Sequence, residues 1–120
     1  MKGKELVSII MLSQDNGRYV TESVRSVIAQ TYQNWELIFM DDSSKDDTIS
    51  QMMDLMKDKR IHVSKNIESK GSASSMNSAL RDARGRWIAF LNVGDLWEPT
   101  KLEKQEIEIG RAVQQECRDR

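Results

Sequence analysis

The sequence is poor in the residues that mark several protein classes, with one cysteine, one histidine and one proline. The lone Cys117 excludes a disulfide framework and a thiolate metal cluster, and it favours a reducing, cytoplasmic location. Because His62 is the only histidine and lies within a short apolar segment, a Ser/His/Asp hydrolase site is excluded. We interpret His62 as a structural or exposed residue.

Long apolar runs and charge of one sign are also missing. No run approaches the ~20 residues that span a bilayer, and the first apolar segment, Leu6–Leu12, resembles a strand more than a signal peptide. A formal net charge of -1 provides no attraction to nucleic acid. Neither Gly-x-Gly-x-x-Gly nor a phosphate-binding P-loop occurs, which argues against dinucleotide redox chemistry and against an NTPase.

Strands and helices alternate along the chain. Apolar segments rich in β-branched or aromatic residues predict four strands, at Leu6–Leu12, Trp35–Met40, Ile61–Val63 and Trp87–Leu91. Apolar residues at helical spacing predict helices between them, with stripes at Val20, Val24, Val27 and Ile28, at Ile49, Met52, Met53 and Met56, and at Met76, Leu80 and Ala83. The methionines are interpreted as core filling.

Several residues predict where these helices begin and end. Ser43 or Ser44 is expected to cap the second helix, with Asp46 and Asp47 in its first turn. The segment Ser69–Ser75 is expected to be a polar loop. Gly85 is expected to end the third helix, and Thr100 and Glu103 have the capping-box spacing of a fourth.

This order predicts a single α/β domain over residues 1–120, with a mostly parallel open sheet and helices on both faces. Ligands of such sheets bind beyond the carboxyl ends of the strands. Three polar clusters are expected there, and the loop Ser69–Ser75 could join them. The clusters are Ser13–Gly17, Asp41–Asp47 and Asn92–Asp95.

Each acidic residue of these clusters has two interpretations. Asp42 could accept the N–H of a pyrimidine or a ribose hydroxyl, or it could cap the helix that follows it. Asp41 is expected to brace its loop. Asp95 could approach a phosphate-bound Mg²⁺ or Mn²⁺, or it could simply close a turn with Gly94, while Asn92 would hold a cation poorly because its side chain is uncharged.

Several motifs in the chain resemble those of family 2 glycosyltransferases, which build bacterial polysaccharides from nucleotide sugars. The similarity runs from about Leu6 to Gln105. The motifs that carry it are Val24–Trp35, Glu36–Ser44 with Asp46-Asp47-Thr48, Ala83–Leu91, and Asp95–Pro99 with Lys101-Leu102.

The resemblance implies the N-terminal, nucleotide-sugar-binding half of a GT-A fold, a UDP-sugar or related donor, a divalent metal and sugar transfer with inversion. Asp42 matches the aspartate that holds the base in the family, and Asn92 and Gly94 match the two aspartates of its Asp-x-Asp metal motif. The nucleotide site predicted in this way consists of Ser13, Gln14, Asp15, Asp42, Ser72 and Asn77, and the metal position of Asn92 and Asp95.

Departures from the family pattern predict a weakened site. Both metal-motif aspartates are missing, Leu12–Asp15 lacks the family's aromatic residue, and Ser75-Met76-Asn77 lacks its arginine. We therefore expect a weakened site for Mg²⁺ or Mn²⁺ and weak or no catalysis by this chain, whose acceptor half is expected to be absent. Expected partners are a nucleotide sugar, a membrane-associated glycan assembly reached through absent regions, and a second copy bound through the C-terminal helix.

Two other classes of protein stay open. The first is a non-catalytic nucleotide- or partner-binding module that keeps the fold without the reaction. The second is a receiver-like signalling domain, which also has paired aspartates at a strand end. The receiver fits poorly, because its pair is expected after the first strand and Asp41-Asp42 follows the second.

Overall fold

The computed structural model describes residues 5–15, 17–66, 68 and 70–104. Strands and helices alternate there as predicted. They are β1 (Val7–Ser13), α1 (Gly17–Ile28), β2 (Trp35–Asp42), α2 (Thr48–Leu55), β3 (Ile61–Asn66), α3 (Gly71–Asp82) and β4 (Trp87–Phe90). A further helical turn covers 101–104, so the predicted fourth helix begins where expected, and the rest of it, including Cys117, lies outside the described residues.

The four strands form one parallel sheet in the order β3-β2-β1-β4. The two central strands are almost wholly buried, which confirms the prediction from their continuous apolar runs. β2 continues through Asp41 and Asp42, since Asp41 pairs with both Ser13 and Lys65. β3 is longer than predicted because its polar second half still pairs with β2 at the sheet edge, where exposed side chains are tolerated.

Apolar side chains form a core on each face of the sheet. On one face, Val20, Val24 and Val27 of α1 pack with Met52 and Leu55 of α2 against the sheet. On the other face, residues of α3 and its C-terminal end, Ala79 and Ala83, pack with apolar residues of β1, β2 and β4. Helices on both faces of a parallel sheet confirm the predicted fold class.

Two of the three methionines in the predicted stripe of the second helix, Met53 and Met56, are not core residues, so that part of the prediction is wrong. Met52 is fully buried, whereas Met53 is 65% and Met56 42% exposed. Met52 and Leu55 lie three residues apart and share the inward face of the short helix. Met53 follows Met52 by one position, which turns its side chain toward solvent.

Gly85 does not end α3, which stops at Asp82 with Ala83 extended at the C-cap. Gly85 lacks a side chain for a different reason, which is that the backbone packs closely at this point. A Cβ placed at Gly85 would lie 2.6 Å from the Ser8 nitrogen and 2.8 Å from the Leu6 carbonyl oxygen. The Gly85 N–H also donates to the Ser8 hydroxyl, so the chain enters β4 pressed against the start of β1.

A buried carboxylate stabilises the same junction. Glu36, at the start of β2, accepts hydrogen bonds from the Ser8 hydroxyl at 2.6 Å and from the Arg84 N–H at 2.7 Å. The Arg84 guanidinium lies 3.4 Å from its other oxygen. Glu36 therefore joins β1, β2 and the segment that leads into β4.

No helix among residues 5–15, 17–66, 68 and 70–104 combines the length and apolar content needed to cross a bilayer.

We predict that Gly85→Ala lowers the free energy of unfolding by about 1–3 kcal/mol, because the new methyl group would overlap backbone atoms of β1. Denaturant unfolding followed by circular dichroism measures the change. Ala73→Ser, which adds one atom to an exposed position of α3, is the control and should change stability by less than about 0.5 kcal/mol. Equal midpoints for wild type and Gly85→Ala would contradict the packing role.

Candidate nucleotide site

The carboxyl ends of β1, β2 and β4 lie at one edge of the sheet, because the three strands are parallel neighbours. Ser13, the last residue of β1, is in register with Asp41, the penultimate residue of β2. On the other side of β2, Asp42 is in register with Asn66, the last residue of β3. The polar ends of three adjacent strands thus meet at this edge.

Asp42 is buried, with 8% of its surface exposed, and its carboxylate accepts hydrogen bonds from three described residues at the end of β3 and the start of α3. Oδ1 accepts from the Lys70 N–H at 2.8 Å and from the Asn66 side-chain amide at 3.0 Å, and Oδ2 accepts from the Gly71 N–H at 3.0 Å. Asp42 therefore caps α3. The sequence had offered it as a possible cap of α2, the helix that directly follows it, and that alternative is wrong. The positive end of the α3 dipole favours the negative charge of Asp42.

A cavity of about 310 Å³ opens beside this carboxylate, within the size range of small-molecule sites. It brings together four of the six predicted nucleotide-site residues, namely Ser13, Gln14, Asp42 and Ser72. The remaining lining residues are Leu12, Gly71 and Ser75.

The other two predicted residues, Asp15 and Asn77, do not line this cavity. Asp15 has a positive φ of 54°, and its Oδ1 accepts from the Lys45 N–H at 2.7 Å and the Asp46 N–H at 3.2 Å. It therefore ties the loop after β1 to the loop after β2. Asn77 lies exposed on α3.

The loop after β2 is braced by Asp41, as predicted. Oδ2 of this fully buried residue accepts from the Ser44 N–H at 2.9 Å, and Oδ1 accepts from the Ser44 hydroxyl. The Ser44 oxygen in turn accepts from the Asp15 N–H at 2.7 Å. Because its hydroxyl is engaged within the loop, Ser44 does not cap α2.

The N-cap residue of α2 is Asp47 rather than Ser43 or Ser44, and the side chain that bonds the first residue of the helix is that of Asp46. Its Oδ1 accepts from both the N–H and the hydroxyl of Thr48, the first residue of α2, and its Oδ2 accepts from the Gly17 N–H at 3.0 Å. The Thr48 hydroxyl and these backbone donors hold the pKa of Asp46 below its ordinary value of 3.8. One carboxylate thus serves the starts of both α1 and α2.

The predicted metal position is an exposed turn. The Asp95 N–H donates to the Asn92 carbonyl at 3.0 Å, Gly94 has φ of 101°, and its N–H donates to the Ser23 hydroxyl. Neither Asn92 nor Asp95 lines the cavity beside Asp42. In the part of the chain that the structure describes, no three His, Cys, Asp or Glu side chains are grouped to hold a metal ion. A single carboxylate with an uncharged amide fits a divalent cation poorly.

The predicted site residues did not include Ser75, which lines the cavity, or Asn66, which donates to the Asp42 carboxylate. Ser72–Ser75 belongs to α3 rather than to a loop, and Ser75 is 1% exposed beside Asn66. Serines and glycine carry no apolar stripe, so periodicity could not reveal this first turn. Asn66 gave a usable signal, since it lies at the carboxyl end of a parallel strand and so at the edge of the sheet where ligands bind.

Comparisons with known proteins show the family of this chain. Residues 8–111 match Glycosyl transferase family 2. The chain is 45% identical over 100 residues to the Escherichia coli UDP-Glc:alpha-D-GlcNAc-diphosphoundecaprenol beta-1,3-glucosyltransferase WfgD, covering 83% of this chain and 39% of WfgD. It is 43% identical over 103 residues to the putative teichuronic acid biosynthesis glycosyltransferase TuaG of Bacillus subtilis, covering 85% and 41% respectively.

Solved structures share the fold. S. aureus TarS 1-349 in complex with UDP superposes with a TM-score of 0.81 at 24% identity, over 92% of this chain and 32% of TarS. The mannosyltransferase PcManGT of Pyrobaculum calidifontis, in complex with GDP-Man and Mn²⁺, gives 0.76 at 21% identity, over 85% of this chain and 32% of PcManGT.

The four-stranded parallel sheet with helices on both faces has the GT-A fold of these solved structures. The chain belongs to glycosyltransferase family 2. It spans about two fifths of the length of the curated relatives WfgD and TuaG.

We predict that Asp46→Asn destabilises the protein above about pH 4. The free energy of unfolding of the variant should also fall less than that of wild type as the pH is lowered further. Because the pKa of Asp46 is lowered in the folded state, the stability it adds is present above the unfolded pKa and is lost as the pH falls through the folded pKa. Urea unfolding at a series of pH values from 7 downward measures this.

Asp54→Asn is the control for this series, since the ion pair of Asp54 with Lys57 is solvated and should contribute little. Parallel stability curves for wild type and Asp46→Asn across the acid range would show that the contacts of Asp46 do not make the stability sensitive to acid.

Proposed function

We propose that the cavity beside Asp42 binds the nucleotide part of a nucleotide-diphosphate sugar, with a UDP-sugar as the donor. The observation that supports this most is the buried, fixed Asp42 carboxylate facing a ligand-sized cavity at the carboxyl edge of the sheet. Family membership supports the same class of ligand. WfgD is described as a UDP-Glc-dependent enzyme, and TarS was solved with UDP.

The chemistry of the cavity suits a pyrimidine nucleotide. A carboxylate can accept the N3–H of uracil or a ribose hydroxyl. The Ser13 and Ser72 hydroxyls and the Gln14 amide, which also line the cavity, add polar partners. Leu12 provides an apolar wall for the ring.

We propose inverting transfer as the reaction of the whole enzyme. A base deprotonates an acceptor hydroxyl, whose oxygen attacks the anomeric carbon, and the bond from that carbon to the diphosphate breaks so that the nucleoside diphosphate leaves. We assign the base and the acceptor site to sequence equivalent to the remaining three fifths of the relatives. Residues 1–120 then serve as the donor half in glycan synthesis.

The divalent cation of the proposal has a weak site. Asp95 would offer a carboxylate and Asn92 an amide oxygen, a donor set that fits Mg²⁺ or Mn²⁺ poorly. Neither Asn92 nor Asp95 lines the cavity in which we place the nucleobase. Nucleotide binding should therefore depend mainly on the cavity.

Asp42→Asn is expected to weaken UDP binding by about tenfold or more, because it removes a charged acceptor worth about 1.5–3 kcal/mol. Isothermal titration calorimetry measures the affinity, and circular dichroism checks that α3 is retained. Asp82→Asn, at the other end of α3, is the matched control and should bind UDP like wild type. Undiminished affinity in Asp42→Asn would refute the proposed site.

The exposed Asn92–Asp95 turn favours a second candidate, a non-catalytic nucleotide- or partner-binding module of the same fold. We expect UDP affinity to change less than about threefold on adding Mn²⁺, which is below ~0.7 kcal/mol, and we expect no ready donor hydrolysis. Calorimetry with and without Mn²⁺ and a UDP-release assay test both. Strong Mn²⁺ dependence with turnover would establish a working transferase and refute the weakened site.

A further inference from the structure

We propose that Asn66, the last residue of β3, is a positioning residue that orients the Asp42 carboxylate and thereby sets the preference of the site for uracil over cytosine. This inference rests on the proposed function, because it assumes that Asp42 meets a nucleobase. Asn66 does not line the cavity. Its role is exerted through Asp42.

The amide of Asn66 is held between two oxygens. Its Nδ2 donates to Asp42 Oδ1 at 3.0 Å and to the hydroxyl oxygen of Ser75 at 3.1 Å. An ionised carboxylate can only accept, so the contact with Asp42 fixes which way the amide faces, and the Ser75 hydroxyl oxygen accepts from the same nitrogen. Ser75 is 1% exposed in α3, and the bridge therefore starts from a rigid point.

The strand register explains why the bridge exists. Asn66 pairs directly with Asp42 across the parallel β2–β3 ladder, so its side chain projects from the sheet beside the carboxylate. The Lys70 and Gly71 amides approach from the start of α3. Asn66 adds a side-chain donor to these two backbone donors and links the ends of two strands and one helix.

The orientation of the Asp42 carboxylate can determine which nucleobase binds, because uracil and cytosine differ at N3. Uracil carries a hydrogen on N3, which a carboxylate oxygen can accept, whereas cytosine has a lone pair at N3 that a carboxylate repels. A site built to bind one N–H discriminates strongly against an analogue that lacks it, provided that the acceptor is held in place. A carboxylate free to rotate could turn its oxygens away from cytosine and lose part of this discrimination.

Asn66→Asp is the sharpest test, because it keeps the shape of the side chain while replacing its donors with a second carboxylate. At pH 8 both carboxylates should be charged and repel each other. At lower pH the pair can share one proton, and the protonated group again donates to its neighbour. Asn66→Ala removes the donor without adding charge.

We expect Asn66→Asp to weaken UDP binding by about tenfold at pH 8 and to recover part of that loss at pH 5.5. The ratio of UDP to CDP affinity should fall in Asn66→Asp and in Asn66→Ala. Calorimetry with UDP and CDP at both pH values measures these quantities. Ser64→Ala, on the same face of β3 two residues away, is the control and should keep the wild-type ratio.

The outcomes separate this inference from the proposed function. If wild type binds UDP but the Asn66 variants keep its UDP to CDP ratio and pH dependence, Asn66 does not position Asp42, and the nucleotide site stands. An equal loss of UDP and CDP affinity would also overturn the role. If wild type fails to bind UDP, the proposed function itself fails.

Ser75→Ala keeps the inference testable if the Asn66 variants do not fold. It removes the second acceptor of the Asn66 amide while leaving the contact with Asp42. A smaller fall in the UDP to CDP ratio is expected, and an unchanged ratio would overturn the proposal.

Discussion

The edge of the sheet depends on one buried anion, the carboxylate of Asp42, and on the donors that surround it. Removing a carboxylate from water is costly unless hydrogen bonds replace its hydration. Here the start of α3 and the end of β3 supply them. The same contacts that stabilise the charge also determine where α3 begins. Because residues of α3 line the cavity, these contacts also position one wall of the cavity.

The fold class was predictable because the apolar residues of the central strands indicate that these strands are buried. β1 and β2 are apolar almost throughout, and only a sheet covered on both faces buries such strands. Strand ends were harder to predict, because Asp41 and Lys65 pair in the ladder despite their polarity. Local sequence cannot show that polar residues continue a strand when the partner strand lies more than 20 residues away.

The start of α3 illustrates the same limit for helices. Gly71 and Ser72 have weak helix propensity and no apolar pattern. The carboxylate that accepts the Lys70 and Gly71 N–H groups comes from β2, 28 and 29 residues earlier. Glycine is common at helix ends, which is why Gly85 was expected to end the same helix. Its small size instead allows Ser8 to lie close to it. In both cases a contact distant in sequence overrode a local preference.

Four aspartates at the ends of β1 and β2 or in the loops after them each accept at least one backbone N–H, namely Asp15, Asp41, Asp42 and Asp46. Their negative charges are thus balanced by the dipoles of the chain itself, and these bonds cross-link the loops after β1 and β2 and the start of α3 to one another. A ligand entering the cavity meets a preorganised rim, whose conformational entropy was lost during folding and not at the moment of association.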